Sequence, residues 1–410
     1  VASDDERVRR VSDRDGVNAA EALRKLDPDA AIRIVGDEPE PPYSRMAIPY
    51  LLMDNIDEQG THLREHADHF AALAIEVTQG RVASVQPERH QVTLHSGETL
   101  AYDRLLIATG SSPARPSIPG MDGDNVASCW TLADARTIQD RAAAGSRVAL
   151  IGAGFIGSII LEALARRGVK LSVIEQGERM VPRMMGPQAG GLLKRWCESK
   201  GVTVHTGVRV DSIEPNGVML GDGTHIGADL VITATGVRPN IDFLGGSGIE
   251  VEQGILIDRH FRTNVADIYA AGDVAQGLDF CTGAQSVHAI QPTAADHGHL
   301  AASNMSGHEA EYEAARAHGS VMVRAQELHQ LGVEHILQRL PEAPSCLSRW
   351  AMRRRSARTR ARSLESPAAL ELDVEAFGLT SPASDVEMIE LSLSFLEACG
   401  VRQHELVLEA

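Results

Sequence analysis

Arg147-Val-Ala-Leu-Ile-Gly152-Ala-Gly154-Phe-Ile-Gly157-Ser-Ile-Ile-Leu-Glu-Ala-Leu-Ala-Arg-Arg-Gly168-Val-Lys-Leu171-Ser-Val-Ile-Glu175 is the stretch from which the rest of the chain is read. The apolar run 148–151 predicts a buried parallel strand. Gly152-x-Gly154-x-x-Gly157 follows, then a helix with Ile159, Ile160, Ala163 and Leu164 on one side. A second apolar run, 171–174, closes on Glu175, 18 residues past Gly157. The three glycines serve different ends. They allow a tight turn, close approach of backbone to a pyrophosphate, and close packing of helix on strand. The phosphates then rest on the helix N-terminus, and the acid takes the adenosine ribose hydroxyls. A lone glycine motif is weak evidence. Here a strand precedes it, a helix follows and an acid ends the next strand, which makes a chance glycine turn a poor account. Glu175 repels a 2′-phosphate and no arginine follows it directly, so NAD is favoured over NADP.

The chain has 410 residues, enough for two or three domains and a sizeable core. Its net charge of −17 argues against a nucleic-acid or anionic-membrane partner for the chain as a whole. No apolar run approaches a membrane span and no signal peptide is recognisable, so a cytoplasmic location is expected. Cys129, Cys197, Cys281, Cys346 and Cys399 are scattered without a C-x-x-C pair. That spacing suits a reducing compartment and speaks against a redox dithiol or a clustered metal site.

Taken in order, residues 1–15 hold nine charged side chains and no apolar run. A helix pattern begins at Gly16 with Val17, Ala19, Ala20, Leu23 and Leu26. A strand over 32–35 follows, then Asp37-Glu38 and the turn Pro39 to Arg45. Short strands broken by Gly80, Pro87 and Gly97 lead to Leu105-Leu-Ile-Ala-Thr109-Gly110. The segment after Glu175 repeats this order. Val202 to Gly207, Val208 to Ile213, a Gly223 turn and Leu230-Val-Ile-Thr-Ala-Thr-Gly236 match Ile75 to Gly80, Val82 to Val85, the Gly97 turn and Leu105 to Gly110. The same module is written twice. Two dinucleotide modules imply two dinucleotides, NAD on one and most plausibly FAD on the other, since a hydride needs an acceptor held close to it.

The first copy has a defect. Laying Gly16 on Gly157 sets Val11 against Gly152 and Asp13 against Gly154. The helix, an acid (Glu38) and the Ala-Thr-Gly end survive, but the first strand and two of three glycines do not. A carboxylate about 4 Å from a pyrophosphate charge costs about 4 kcal/mol at an effective dielectric near 20. Weak flavin retention is therefore expected, and residues 1–15 read as text foreign to the domain. From Gly254 the chain returns to the first module through Ile255 to Ile257 and Thr263-Asn-Val-Ala-Asp-Ile-Tyr-Ala-Ala-Gly272-Asp273. The Asp273 carboxylate suits a ribityl hydroxyl; alone it reads equally well as an ordinary N-cap. Gln285 to Asn304 reads as one helix with Pro292 in its first turns.

These landmarks together resemble the FAD-dependent pyridine nucleotide-disulfide oxidoreductase family. The similarity is greatest to members without a redox disulfide: ferredoxin and rubredoxin reductases and the flavin part of the nitrite reductase large subunit. Pro42-Tyr-Ser-Arg-Met-Ala-Ile, Gly154-Phe-Ile-Gly and Met180-Val-Pro-Arg-Met-Met look like that last group, and the likeness covers about residues 16–318. The resemblance implies an α/β fold of two Rossmann-like domains, the NAD domain (116–253) inserted in the FAD domain (1–115 and 254–318), with an atypical C-terminal segment (319–410). It implies that Gly16, Glu38, Arg45, Val82, Thr109, Gly110, Gly272, Asp273, Gln291 and Pro292 line FAD. Gly152, Gly154, Ile156, Gly157, Glu175 and Gly236 would line NAD. Met46 stands about where peroxidase-type members carry a cysteine, and a thioether can form neither thiolate nor sulfenate. Disulfide reduction and thiol peroxidation are rejected, and no protein acid or base is assigned. The implied activity is transfer of hydride from NADH to FAD and of electrons to an iron–sulfur (ferredoxin), rubredoxin-like or sirohaem (nitrite reductase-like) acceptor. The alternative is a flavin-free NAD-binding remnant acting as sensor or scaffold.

Past Tyr312 the expected alternation of strands fades. Residues 338–367 hold the arginine-rich run Trp350 to Arg362, which reads as an unfolded linker or out-of-frame text; an RNA-binding arm would want an aromatic stacking platform that is missing. Leu372 to Leu408 reads as a strand followed by a helix (Val386 to Cys399), and 371–410 resemble a fragment of histidyl-tRNA synthetase. About 40 residues cannot make a synthetase, so the tail reads as a fusion or assembly artefact.

Overall fold

The computed structural model describes residues 14–66, 68–183, 185–279, 284–287, 289, 291–311, 351–356 and 370–375. Val11 and Asp13 lie outside the described residues. Two compact units divide the chain, Val1–Pro182 with Lys194–Ala317 and Arg183–Leu193 with His318–Ala410.

In the first unit, helix α1 (Arg14–Leu26) has Asp15 in its first turn and Arg24 and Lys25 in its last, the charge order that complements the helix dipole. Its buried Val17, Ala19, Ala20 and Leu23 pack in one cluster with residues of strand β1 (Ile32–Gly36). The chain then runs through a 3₁₀ turn (Arg45–Ala47), α2 (Ile48–Leu52) and α3 (His69–Ala72) to β2 (Ile75–Gln79), which pairs parallel with β1. β3 (Val82–Gln86), β4 (Gln91–Leu94) and β5 (Thr99–Ala101) make an antiparallel meander, and β6 (Leu105–Ile107) is fully buried. β7 (Ser111–Pro113) leaves this module for β8 (Val126–Ser128) and α4 (Leu132–Arg141).

The second copy opens at β9 (Arg147–Ile151), then α5 (Phe155–Arg166), β10 (Lys170–Glu175), α6 (Pro187–Ser199) and β11 (Thr203–Thr206). A second meander, β12 (Val210–Glu214), β13 (Gly217–Leu220) and β14 (His225–Gly227), precedes β15 (Leu230–Thr233). The sheet order is β11-β10-β9-β15-β8, every pair parallel. The chain moves outward from β9 to β10 and β11 on one side and returns to β15 on the other. The loop after β9 therefore sits at the switch point, where α/β sheets open a ligand crevice. The element order α–β–β–meander–β occurs in both copies, so the repeat legible in the sequence is a repeat of structure.

β16 (Val237–Pro239) pairs antiparallel with β7. The chain then completes the first module: β17 (Ile255–Leu256), β18 (Ile268–Ala270) parallel to β6, β19 (Ala275–Leu278), β20 (Gln285–Val287) and α7 (Gln291–Met305). The single helix expected over Gln285 to Asn304 is thus corrected. Residues 285–287 pair with β19, and the helix begins at Gln291, one residue before Pro292, since proline lacks an N–H and fits only a first turn.

In the second unit β21 (Ala351–Ser356) and β22 (Leu370–Glu375) form an antiparallel pair. β21 falls within the arginine-rich run 338–367, the rest of which lies outside the described residues. The register sets Arg353 opposite Asp373 and Arg355 opposite Glu371. β22 contains the start of the strand expected from Leu372; the helix expected over Val386 to Cys399 lies outside the described residues.

Glu21 ties α1 to the segment before β2. Arg64 donates to both carboxylate oxygens at 2.6 Å, and His69 Nε2 lies 2.9 Å from Oε1. Burial alone would raise the Glu21 carboxyl, but the hydrogen bonds from Arg64 and His69 outweigh it and hold it below the ordinary carboxylate value. Its stabilisation is therefore present above the unfolded carboxyl's pKa and is lost as pH falls through the lower folded value. Glu21→Gln should cost about 1–2 kcal/mol at neutral pH, less for the part-exposed arginine, and the gap to the parent should close in acid. Urea titrations at neutral and acidic pH measure this, and a gap that widens in acid contradicts it.

Candidate dinucleotide sites

The second copy's site is built from strand ends. Gly152, after β9, has φ +100°, and a Cβ there would overlap the Ala234 carbonyl oxygen. Gly157 meets the Gly152 carbonyl in the same way, so helix and loop are in backbone contact. Gly154, the residue before α5, has open space where a side chain would be, which leaves the helix N-terminus bare. Glu175 ends β10 with both oxygens engaged: Ala153 N–H donates to one and Gly177 N–H to the other, each at 2.7 Å. The acid thus fixes the glycine loop it is expected to serve. Ile156 is half-buried in the first turn of α5, and Gly236 (φ +103°) follows β15 with open space around it. Gly152, Gly154, Gly157, Glu175 and Gly236 converge at one end of the sheet, and their surroundings fit a dinucleotide.

The first copy is more crowded. Glu38, just past β1, accepts from Arg45 at 2.5 Å and from the Tyr43 hydroxyl. Burial raises the Tyr43 phenol, Arg45 offsets part of that, and the bond to Glu38 raises it further, so the phenol stays a donor. Arg45 also donates to the Trp130 carbonyl at 2.8 Å and lies over the Trp130 ring. Trp130 Nε1 donates to the Ser111 carbonyl at 3.0 Å, and Ser111 Oγ donates to Asp273 at 2.8 Å. One chain of contacts therefore links Glu38, Arg45 and Asp273. Asp273 stands inside the 3₁₀ turn Gly272–Val274, with Ala271 at the cap position, so the N-cap reading does not hold. Gln291 Nε2 donates to Ser44 Oγ at 3.2 Å, which brings the start of α7 to the Tyr43 turn. Pro292 lies in that first helical turn. Thr109 exchanges bonds with Asn240: its hydroxyl donates to the Asn240 carbonyl and its carbonyl accepts from Asn240 Nδ2, each at 2.8 Å. Gly110 is left-handed at φ +61°, and Val82 is buried on β3. Gly16 is buried in α1.

Two acids at strand ends and glycine backbone at 110 and 272 fit FAD. One feature runs against it: the Asp15 carboxylate is buried against Gly272. The sequence reading missed Asp15, Tyr43, Ser44, Ser111, Trp130 and Asn240. Tyr43 and Ser44 directly precede Arg45 and Ser111 follows Gly110, a proximity that could have flagged them; Trp130 and Asn240 carry no periodic signal.

Among the described residues no group of three or more His, Cys, Asp or Glu could hold a metal, and no helix is long and apolar enough to cross a membrane. Met46 lies part-exposed in the 3₁₀ turn before α2. Burial, then the Asp134 carboxylate, pushes the Cys129 thiol up to about 12, and burial followed by Glu198 raises Cys197.

Residues 16–291 match the sequence pattern of the family described as pyridine nucleotide-disulphide oxidoreductase. The chain is 31% identical over 296 residues to the NADH-dependent phenylglyoxylate dehydrogenase subunit epsilon of Aromatoleum evansii, covering 71% of this chain and 70% of the relative. It is 31% identical over 299 residues to the ferredoxin–NAD(+) reductase component of the anthranilate 1,2-dioxygenase system of Burkholderia cepacia, covering 72% and 73%. Its fold is similar to that in the covalent putidaredoxin reductase–putidaredoxin complex, with TM-score 0.72, 26% identity, and coverage of 76% of this chain and 78% of that one.

Neither described thiol should react as a nucleophile at neutral pH. Brief alkylation of the folded chain followed by peptide mapping should find Cys129 and Cys197 unmodified, with both labelled after denaturation. Labelling of Cys129 in the folded chain as fast as a free thiol in solution contradicts this.

Proposed function

The chain belongs to the pyridine nucleotide-disulphide oxidoreductase family, and from that premise we propose that it is an NADH-dependent FAD oxidoreductase delivering electrons to a separate protein acceptor. Members of this family are NAD(P)H-dependent flavin oxidoreductases that use FAD and NAD(H). The observation that carries the reading is the doubled module: two strand-end sites, each with its acid, in one chain whose described cysteines are both buried. The domain limits that go with it are 1–115 and 254–318 for FAD and 116–253 for NAD. Buried, unlinked thiols fit a reducing, cytoplasmic setting.

FAD, when bound, supplies hydride acceptance and release of electrons one at a time. The protein's own residues position and exclude. Gly152, Gly154 and Gly157 let the N-terminus of α5 meet the NADH diphosphate, and Ile156 covers it from the first helical turn. Glu175 takes the adenosine ribose and disfavours a 2′-phosphate. Glu38 would hold the flavin's adenosine ribose and Arg45 would lie near its diphosphate, Val82 would touch the adenine, Thr109 and Gly110 would line the FAD, and Asp273, beside Gly272, would bind the ribityl chain. Gln291, which donates to Ser44, and Pro292 would sit by the flavin ring. No side chain need exchange a proton, so rate depends on holding the two rings close. The names of the relatives, a ferredoxin–NAD(+) reductase and a putidaredoxin reductase, favour a small redox protein as acceptor. The proposal extends to rubredoxin-like and nitrite reductase-like acceptors.

A second reading, the flavin-free NAD-binding scaffold, draws support from the buried Asp15 carboxylate. Colour separates the two: the purified, FAD-supplemented chain should be yellow and reduce an artificial dye with NADH. NADH should be preferred over NADPH by about tenfold or more, a difference of about 1.4 kcal/mol. Glu175→Ala should shrink that preference and raise KM for NADH, because the loop anchors at Ala153 and Gly177 go with the carboxylate. Equal use of both nucleotides by the parent sinks the assignment of Glu175.

A further inference from the structure

The two copies of the module can be read against each other residue by residue. α5 runs from Phe155, and α1, laid on it through Gly16 and Gly157, is described from the equivalent Arg14. The second residue of α5 is Ile156, uncharged and half-buried; the second residue of α1 is Asp15, 1% exposed. A carboxylate thus stands in one copy where the other has a hydrocarbon side chain.

Two glycines accommodate it. A Cβ on Gly272, in the turn after β18, would overlap the Asp15 carboxylate, and a Cβ on Gly298 of α7 would overlap the Asp15 carbonyl. Gly272 N–H in turn lies 3.4 Å from Nδ1 of His297, which is also buried. The carboxylate therefore lies between the start of α1, the Gly272–Asp273 turn and α7. The start of such a helix favours one anion, through its dipole and its unsatisfied N–H groups. In the second copy the position equivalent to Asp15 carries the uncharged, half-buried Ile156. In the first copy the protein's own carboxylate is beside the helix start.

We propose that Asp15 is a built-in antagonist of flavin diphosphate binding, an internal anion at the end of α1 where the FAD diphosphate is to be held. The proposal rests on the reading of the first copy as a flavin site. The carboxylate is fixed by burial and cannot swing into solvent, so both anions must share one helix end. FAD is then held loosely and exchanges with the free pool, while NADH, on the second copy, is unaffected.

Equilibrium binding of FAD to the full apoprotein, followed by quenching of flavin fluorescence, tests this. Asp15→Asn keeps the shape and removes the charge; it should bind FAD about tenfold or more tightly than the parent, with unchanged NADH affinity. Flavin absorbance per protein after desalting should rise in the same order. Should Asp15→Asn not fold, the mirror-image change Ile156→Asp in the parent chain keeps the idea testable. It should weaken NADH about tenfold or more and leave FAD unchanged. Equal FAD affinity in parent and Asp15→Asn overturns the proposal and leaves the flavin-enzyme reading standing. Failure of both proteins to bind FAD at all overturns both.

Discussion

A dinucleotide diphosphate can approach a helix N-terminus only where no side chain stands in the way. That steric rule organises the second copy of the module completely. Gly152 lets the chain turn against the Ala234 carbonyl, Gly157 lets the helix rest on the loop, and Gly154 leaves the approach bare. Glu175 then commits both its oxygens to the loop backbone. An acid in this place has two effects: it shapes the loop, and its charge opposes a 2′-phosphate. The first copy differs in charge at the matching helix position, where the buried Asp15 stands in place of Ile156.

The two copies are also tied to each other by bonds that do not depend on ligand. β7 pairs with β16, and Thr109 and Asn240 exchange two hydrogen bonds beside that pair. α4 is anchored at its start by a reciprocal cap between Thr131 and Asp134. From it Arg136 reaches both oxygens of Glu58 and one of Glu40, each at 2.7 Å. Part-exposed pairs of this kind contribute little energy singly, but a bidentate arginine fixes direction well. Hydride transfer needs two rings held within contact distance, so the direction in which the modules face one another matters more than the energy of any one tie.

Much of this was legible in the sequence because it follows from period and spacing. Apolar runs closing on glycine mark the strands, and the repeat of 75–110 in 202–236 gives the second module from the first. What periodicity does not carry was not legible. Asp15 sits in a run of charged residues, and nothing local distinguishes a buried carboxylate from a solvated one; its burial comes from two glycines more than 250 residues away. Trp130 and Ser111 link Arg45 to Asp273 through backbone carbonyls, which leave no sequence mark. Gln285 to Val287 is strand because it pairs with Gln276 to Leu278, and three residues are too short a run to show alternation in the sequence. The strand Ala351–Ser356 was hidden because composition, not alternation, dominates an arginine-rich run.

The central claim is that the two sites act on one electron pair. The most direct measurement is an anaerobic titration of the FAD-supplemented chain with NADH, without any acceptor, following the flavin's visible absorbance. That absorbance should bleach in proportion to NADH added, one equivalent per bound flavin, and return when a redox-protein acceptor is supplied. If NADH binds with the flavin in place and the flavin stays oxidised, the two sites do not work together and the claim is wrong.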